Sequence, residues 1–370
     1  MADSSSTSEA LPFLSKSFSL TQDTHRRLNP LTREWVLVSP HRTKRPWQGQ
    51  EDKPAPDGSP EYDSCCYLCP GNARANGSLN PDYKEVYAFE NDFAALLPNS
   101  LEGNVYIDDV LVAQSERGTC RVVCFSPRHN ITLPQLPLLA VKSVVDVWTT
   151  QFKELSEQYY YVQIFENKGA SMGCSNPHPH CQIWASQHLP QELAKEEQSL
   201  QQYAAQHTAP GQCSCLLCQV LLTELRIRQR IVCENEFFVA IVPFWAVWPF
   251  ETLLLSRAHL PSLLEMGEEE KLGLADILRQ VTIRYDNIFN TSFPYSMGLH
   301  QAPAVYSPQR DVWHFHIHFY PPLLRSATVR KFMVGYEMLA TPGRDISPES
   351  SAALLREASS VHYLEPSTTT

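Results

Sequence analysis

Two stretches of the chain carry the same order of apolar and polar positions, and the remaining segments arrange themselves around that repeat. In the first stretch a β-rich run over 121–126 precedes a helix-period segment in which Val141, Val144, Val145, Trp148, Phe152 and Leu155 share one face. A strand over 161–166 follows, and then Asn176-Pro-His178-Pro-His180-Cys-Gln182-Ile-Trp184. In the second stretch, strands over 237–242 and 251–256 lead to a helical segment with Leu274, Ile277, Leu278, Val281, Tyr285 and Ile288 on one face. A strand over 295–300 comes next, and then His314-Phe-His316-Ile-His318-Phe-Tyr320. At one junction the match reaches single residues, because Ser126, His129 and Leu133 have the spacing of Ser256, His259 and Leu263. Each stretch ends in a strand with alternating histidines. The pattern predicts an α+β protein of two similar halves sharing one extended antiparallel sheet flanked by helices.

Short β-rich runs also occur over 34–39, 86–93 and about 105–113, and helix patterns over 191–207 and 216–229 join the two halves. A last helix starts at Ser347-Pro348-Glu349, which supplies an N-cap, a proline at the first helical position and an early acid. The Ser/Thr-rich start of the chain predicts a flexible tail over 1–28, followed by halves over 29–190 and 191–370.

Composition narrows the class. With 370 residues, 43% of them hydrophobic, the chain can bury a large core, and no apolar run is long enough to span a bilayer. The formal charge of −10 steers nothing toward nucleic acid as a bulk polyanion. The N-terminus lacks a basic start and a long apolar run, so a cytoplasmic enzyme with neither nucleic-acid nor membrane partners is expected. The eleven cysteines are then expected to be thiols and metal ligands.

The chemistry concentrates at the histidine strands. Period-2 geometry points His178 and His180 at one site, and Gly169, Gly173, Ser175 and Asn176 before them suit a backbone that approaches a phosphate. The bland alternative is a pair of surface histidines in a proline-bounded turn. Cys66 and Cys69 have the spacing of a zinc knuckle, which is half of a tetrahedral site. His314, His316 and His318 alternate with apolar residues, so three imidazoles are expected on one face beside His300 of the preceding strand, a metal-binding arrangement. The basic loop around Arg42, Lys44 and Arg45 is either an anion site or a solvated charged loop. Cys213, Cys215 and Cys218 form a further cluster, read either as ordinary thiols or as a separate metal site.

Longer strings bring a resemblance. His41-Arg42-Thr-Lys-Arg45-Pro-Trp-Gln-Gly, Phe165-Glu-Asn-Lys-Gly, Gly173-Cys-Ser-Asn-Pro-His-Pro-His180, Ser292-Phe-Pro-Tyr-Ser-Met-Gly and Tyr320-Pro-Pro-Leu-Leu-Arg-Ser-Ala-Thr-Val-Arg-Lys-Phe-Met-Val-Gly-Tyr-Glu closely resemble the galactose-1-phosphate uridylyltransferase family of the histidine-triad superfamily. The resemblance implies conversion of UDP-glucose and galactose 1-phosphate to glucose 1-phosphate and UDP-galactose. It implies that His180 is the nucleophile, holding UMP covalently, and that Gln182 donates a hydrogen bond to that intermediate. It further implies a zinc site of Cys66, Cys69, His129 and His178, and a second site of Glu196, His300, His316 and His318 for iron or zinc. Substrate contacts are implied at Arg42, Arg45, Asn91, Asp92, Asn167, Ser175 and Gln182. A loop with Lys331, Val334, Tyr336 and Glu337 is implied to reach the other subunit of a homodimer. The chain departs from the family pattern at Leu299, Gln301 and Gly343, where a tryptophan, a glycine and a glutamine are usual. Two rival readings stay open: a related enzyme acting on ADP-sugars, and a zinc-stabilised binding module without catalysis.

Overall fold

In the computed structural model the described residues are 18–44, 58–304 and 306–365. Strands β1 (His25–Leu28) and β2 (Trp35–Val38) pair antiparallel at the start of the chain. Residues 25–28, expected to belong to a flexible tail, are therefore ordered as a strand. Arg27 in β1 is buried and makes two hydrogen bonds with the Glu349 carboxylate, at 2.8 and 3.0 Å, so a charge pair orders what composition alone reads as tail.

Strand β3 (Tyr87–Glu90) opens the first half. The single run expected near 105–113 is instead a hairpin of β4 (Asn104–Ile107) and β5 (Leu111–Gln114). Asp108 and Asp109 take φ of 50° and 55°, a left-handed turn that Asp tolerates better than most residues, and it breaks the run. Then come β6 (Gly118–Cys124), α1 (Leu138–Ser156), β7 (Tyr161–Lys168) and β8 (His180–Ser186). Helices α2 (Gln191–Gln206) and α3 (Leu216–Ile227) cross to the second half. That half consists of β9 (Ile231–Glu234), β10 (Phe238–Ile241), β11 (Thr252–Ser256), α4 (Glu268–Ile288), β12 (Tyr295–His300) and β13 (His316–Tyr320). The chain finishes with β14 (Leu323–Ser326), β15 (Val329–Arg330), α5 (Tyr336–Leu339), β16 (Gly343–Arg344), which joins β2 in parallel, and α6 (Pro348–Glu357).

Nine strands form one antiparallel sheet in the order β3-β6-β8-β7-β12-β13-β11-β10-β9. The halves meet where β7 pairs with β12, and from that seam outward β8 corresponds to β13, β6 to β11 and β3 to β10. The shared sheet with helices on its faces is the arrangement the repeat predicts. One face is largely apolar, with the buried Glu166 and Lys168 of β7 as charged exceptions. Cys181, Ile183 and Ala185 of β8 and Ile317 and Phe319 of β13 pack with the inward stripes of α1 and α4 in one core, whose burial is the main drive for the fold.

The opposite face differs between the halves. Over the second half, Leu253 and Leu255 of β11 belong to a second core with Leu193 and Leu200 of α2 and Leu217 and Leu221 of α3. Over the first half, Val122 and Cys124 of β6 belong only to a small cluster with Cys66, Leu68, Cys69 and Tyr83, none of them helical. The face that carries His180 therefore stays accessible, and the face that carries His316 is covered.

Candidate active site and metal centres

Strand β8 alternates as the sequence predicts, with His180, Gln182 and Trp184 half-buried on the open face and Cys181, Ile183 and Ala185 buried. His178 lies just before the strand and is fully buried, while His180 borders a cleft of about 600 Å³ at the end of β7 that Asn167, Lys168, Gly169 and Pro179 also line. Gly169 and Gly173 take positive φ of 88° and 77° and bracket the tight turn 170–172, and a Cβ at Gly169 would stand 3.0 Å from Pro294 Cβ.

His180 is held by one contact. Its Nδ1 lies 2.7 Å from the His178 carbonyl, which can only accept, so Nδ1 carries the proton and Nε2 is left as the lone-pair nitrogen. Burial pushes the His180 imidazole below its usual value, against the raising effect of that hydrogen bond, so the ring is neutral at pH 7. Gln182 is oriented in the same manner. The Trp184 indole N–H donates to Gln182 Oε1 at 3.0 Å, which leaves the amide NH2 free to donate. Asn167 accepts a 2.6 Å hydrogen bond from Ser296 of β12, a neighbour the sequence reading missed because the seam that joins them is not legible locally.

The four residues that the resemblance implies as a zinc site are brought together. Cys66, Cys69, His129 and His178 bring all four ligand atoms within 4.8 Å of one another. Cys69 Sγ is 3.6 Å from His129 Nδ1 and 3.5 Å from His178 Nδ1. Zinc bonds to sulfur and imidazole nitrogen at the tetrahedral angle require a separation of about 3.5 Å, so the donor set fits. His178 Nε2 donates to the Ser126 carbonyl at 2.9 Å, which leaves Nδ1 for the metal, and Asn176 Oδ1 accepts the His178 backbone N–H at 2.9 Å. Burial pushes the Cys69 thiol up to about 11, and the neighbouring Cys66 adds to the shift.

The second set is Glu196 with His300, His316 and His318, again within 4.8 Å. Glu196 is buried, with His300 Nδ1 at 2.9 Å and the Nε2 atoms of His316 and His318 at 3.4 and 3.5 Å. Glu197, the adjacent acid, instead accepts from the Trp313 indole. His316 Nε2 and both nitrogens of His318 are buried without a hydrogen-bond partner among the described residues, orphaned atoms that a cation satisfies.

One expectation fails here. His314, His316 and His318 do not share one site. The Phe315 N–H donates to the Leu260 carbonyl, β13 begins only at His316, and His314 turns to Cys215, Cys218 and His259. Period 2 holds only where the ladder holds.

The expected substrate residues divide between two places. Asn167 lies at the His180 cleft. Ser175 is exposed, and Asn91 and Asp92 follow β3, with Asp92 3.6 Å from Arg74. Arg42, Lys331, Val334, Tyr336 and Glu337 line a separate cleft of about 600 Å³ and are not brought to His180 within one chain. Arg45 lies outside the described residues. Gly343 donates its N–H to Glu337 at 3.1 Å, and a Cβ there meets Leu37 O at an ordinary 3.5 Å. Leu299 is fully buried in the main core, and buried Gln301 accepts the Leu263 N–H at 3.1 Å.

Comparison with known proteins agrees with the two-half architecture. A solved uridylyltransferase structure, 29% identical, superposes with a TM-score of 0.70 over 90% of this chain and 97% of its own. An ADP-glucose phosphorylase from Arabidopsis thaliana superposes equally well, at 0.70 over 91% of this chain and all of its own, but at 22% identity it shares the fold alone. The fold thus places the chain in a structural class that holds both a uridylyltransferase and an ADP-glucose phosphorylase. Sequence decides within that class. The chain matches galactose-1-phosphate uridyl transferase N-terminal and C-terminal domains over 16–190 and 196–367, and it is 52% identical to the galactose-1-phosphate uridylyltransferase of Haemophilus influenzae over 94% of this chain and 98% of that protein. It belongs to the galactose-1-phosphate uridylyltransferase family.

Proposed function

We propose that the chain transfers UMP from UDP-glucose to galactose 1-phosphate in two displacements at His180, releasing glucose 1-phosphate and then UDP-galactose. The observation that carries this reading is the Nδ1 hydrogen bond of His180 to the His178 carbonyl at 2.7 Å, which fixes the tautomer whose Nε2 is nucleophilic. In the first displacement Nε2 attacks the α-phosphorus; a phosphorus–nitrogen bond forms as the phosphorus–oxygen bond to the β-phosphate breaks, and glucose 1-phosphate leaves. In the second, a phosphate oxygen of galactose 1-phosphate takes the uridylyl group, and His180 returns to its neutral state. The adduct is an imidazolium, and the His178 carbonyl on Nδ1 stabilises its charge. The Gln182 amide, turned outward by Trp184, donates to a non-bridging oxygen of the uridylyl group, where negative charge grows during transfer.

Metal supports this geometry at a distance from the bond changes. Cys66, Cys69, His129 and His178 would hold zinc, which would fix the residue whose carbonyl orients His180, and Glu196, His300, His316 and His318 would hold iron or zinc, which would fasten β12, β13 and α2. Asn91, Asp92, Asn167 and Ser175 contact the nucleotide.

The active unit in this reading is a homodimer. The Arg42, Lys331, Val334, Tyr336 and Glu337 cleft completes the His180 site of the partner subunit, and Arg45 joins it. Support comes from the separation of the two clefts on one chain. The β4–β5 hairpin adds to it, since Val105, Tyr106, Ile107, Leu111 and Val112 are all exposed. Placement in the cytoplasm, without nucleic-acid or membrane partners, completes the proposal; all eleven cysteines are free, and no described helix is long and apolar enough to cross a membrane.

The deciding experiment is exchange of labelled glucose 1-phosphate into UDP-glucose with no galactose 1-phosphate present. A covalent uridylyl-enzyme gives exchange in the wild type and none in His180→Gly; no exchange in the metal-replete wild type sinks the proposal. Mixing His180→Gly with Lys331→Ala chains tests the shared site, and mixed dimers should recover part of the activity that each variant lacks. Failure to recover it, with subunit exchange confirmed, rejects the partner contribution.

A further inference from the structure

The correspondence between the halves extends to a cluster that the transfer chemistry does not use. Cys215 and Cys218 have the same two-residue spacing as Cys66 and Cys69; His259 stands at the repeat position of His129, and His314 at that of His178. All four ligand atoms lie within 4.8 Å of one another. Cys218 Sγ is 3.3 Å from His314 Nδ1 and 3.6 Å from His259 Nδ1, and Cys215 Sγ is 3.5 Å from His314 Nδ1. These are again the separations that a tetrahedral zinc with sulfur and imidazole ligands sets, about 3.5 Å.

The orientation of each ligand repeats as well. The His314 Nε2–H points at the Ser256 carbonyl at 2.8 Å, as that of His178 points at Ser126 at 2.9 Å, so both rings present a bare Nδ1 to their sulfurs. The two histidine rings of each cluster stand 5.5 Å apart at 79° in both halves. His259 Nε2 is turned to the Asp311 carbonyl at 3.0 Å, leaving its Nδ1 to the cluster. In each cluster the first sulfur also accepts a backbone N–H of its own turn at 3.3 Å, from Cys218 three residues on at Cys215 and from Leu68 two residues on at Cys66.

We propose that Cys215, Cys218, His259 and His314 form a third zinc site, which fastens the start of α3 to the end of β11 and to the segment that enters β13. The donor set of two sulfurs and two imidazoles selects zinc over the hard cations. Its role is structural. In the first half the residue two places after the buried histidine is His180, facing a cleft; in the second it is His316, enclosed beneath α2. The third site thus anchors α3, which packs with α2 in the cover over the second half, and so helps to keep His316 enclosed.

Metal analysis of the full-length protein tests this directly. Wild type crystals, measured across the zinc absorption edge, should show an anomalous peak enclosed by these four side chains, in addition to one at Cys66, Cys69, His129 and His178. A peak at the first cluster with none at the other overturns the proposal. In solution, Cys215→Ser with Cys218→Ser should lower bound zinc by one ion per chain and leave the Cys66 and Cys69 ion in place; unchanged zinc content in a folded double variant rejects the site. Cobalt in Cys66→Ser with Cys69→Ser should still give thiolate-to-cobalt charge-transfer absorption, and its absence in a folded chain argues equally against the proposal.

Discussion

Strands β8 and β13 occupy equivalent places in one sheet, carry histidines at equivalent positions and end in opposite conditions. His180 and Gln182 are half-buried beside a cleft, while His316 and His318, at the same two positions, are 0% and 6% exposed. Both His180 and His316 direct Nδ1 to the carbonyl of the histidine two residues earlier, at 2.7 Å in each case. The backbone device that readies an imidazole nitrogen is therefore present in both halves. What separates them is the cover, since α2 and α3 lie over the second half and bring Glu196 to the nitrogen that in the first half is left for substrate. In the proposed reading, availability rather than orientation makes one histidine a nucleophile and the other a ligand.

The sharpest way to break this comparison is to exchange the losses. His180→Gly should lower turnover by at least about 10⁴-fold, the scale of removing a covalent nucleophile, with metal content unchanged. His316→Asn should retain the exchange reaction at low temperature while losing metal and melting earlier. Equal kinetic losses from the two would show that the halves are not divided in this way. The next largest effect is expected at Gln182. Gln182→Ala should cost about 10²-fold in kcat with little change in metal or melting temperature, measured by steady-state kinetics, as for removal of one hydrogen-bond donor to a developing charge.

Glu196→Gln probes the covered side. Burial would raise this carboxyl, but the charge and hydrogen bond of His300 and the close approach of the His316 and His318 imidazoles outweigh it and hold it well below its usual range. Removing that charge should destabilise the fold by about 3 kcal/mol, read by denaturant unfolding of the metal-free chains, with the His180 exchange preserved in folded protein. An effect on stability of no greater size, and none on chemistry, is expected far from either site. At Glu349 burial opposes ionisation, yet the Arg27 hydrogen bonds and the charges of Arg27 and Arg230 hold the carboxyl at about 2, against 4.5 unfolded. Between those values the unfolded chain binds more protons, so stability rises with pH, and this contribution is full above 4.5 and lost as pH falls toward 2. Glu349→Gln should be less stable near neutrality by up to about 3 kcal/mol and should show a flatter acid limb in unfolding curves.

Local pattern explains how much of this could be read in advance. The stripes Val141 to Leu155 and Leu274 to Ile288 are long and strongly periodic, and α1 and α4 follow them. Strand β12 occupies 295–300, as its pattern predicts. Cys66 and Cys69 announce half of a metal site because their short spacing sets their mutual reach, whereas His129 and His178 are implied only by the resemblance. Long-range facts were not legible. Nothing local says that β7 pairs with β12, that Ser296 therefore touches Asn167, or that α2 rather than solvent lies over His316. His314 was misassigned because alternation was extended one residue beyond the hydrogen-bonded ladder. The order of β1 rests on a pair 322 residues apart in sequence, Arg27 with Glu349, which no window along the chain contains.

The β7–β12 seam makes the two halves one mechanical piece. Ladder hydrogen bonds run across it from Tyr295 opposite Lys168 to Leu299 opposite Ile164, with no loop for the halves to pivot on. A chain divided between β8 and α2 would expose two long naked strand borders, each a template for any passing extended peptide. A continuous sheet forbids the two similar units to separate, so the halves differ in what lies on the surface of the sheet rather than in the sheet itself.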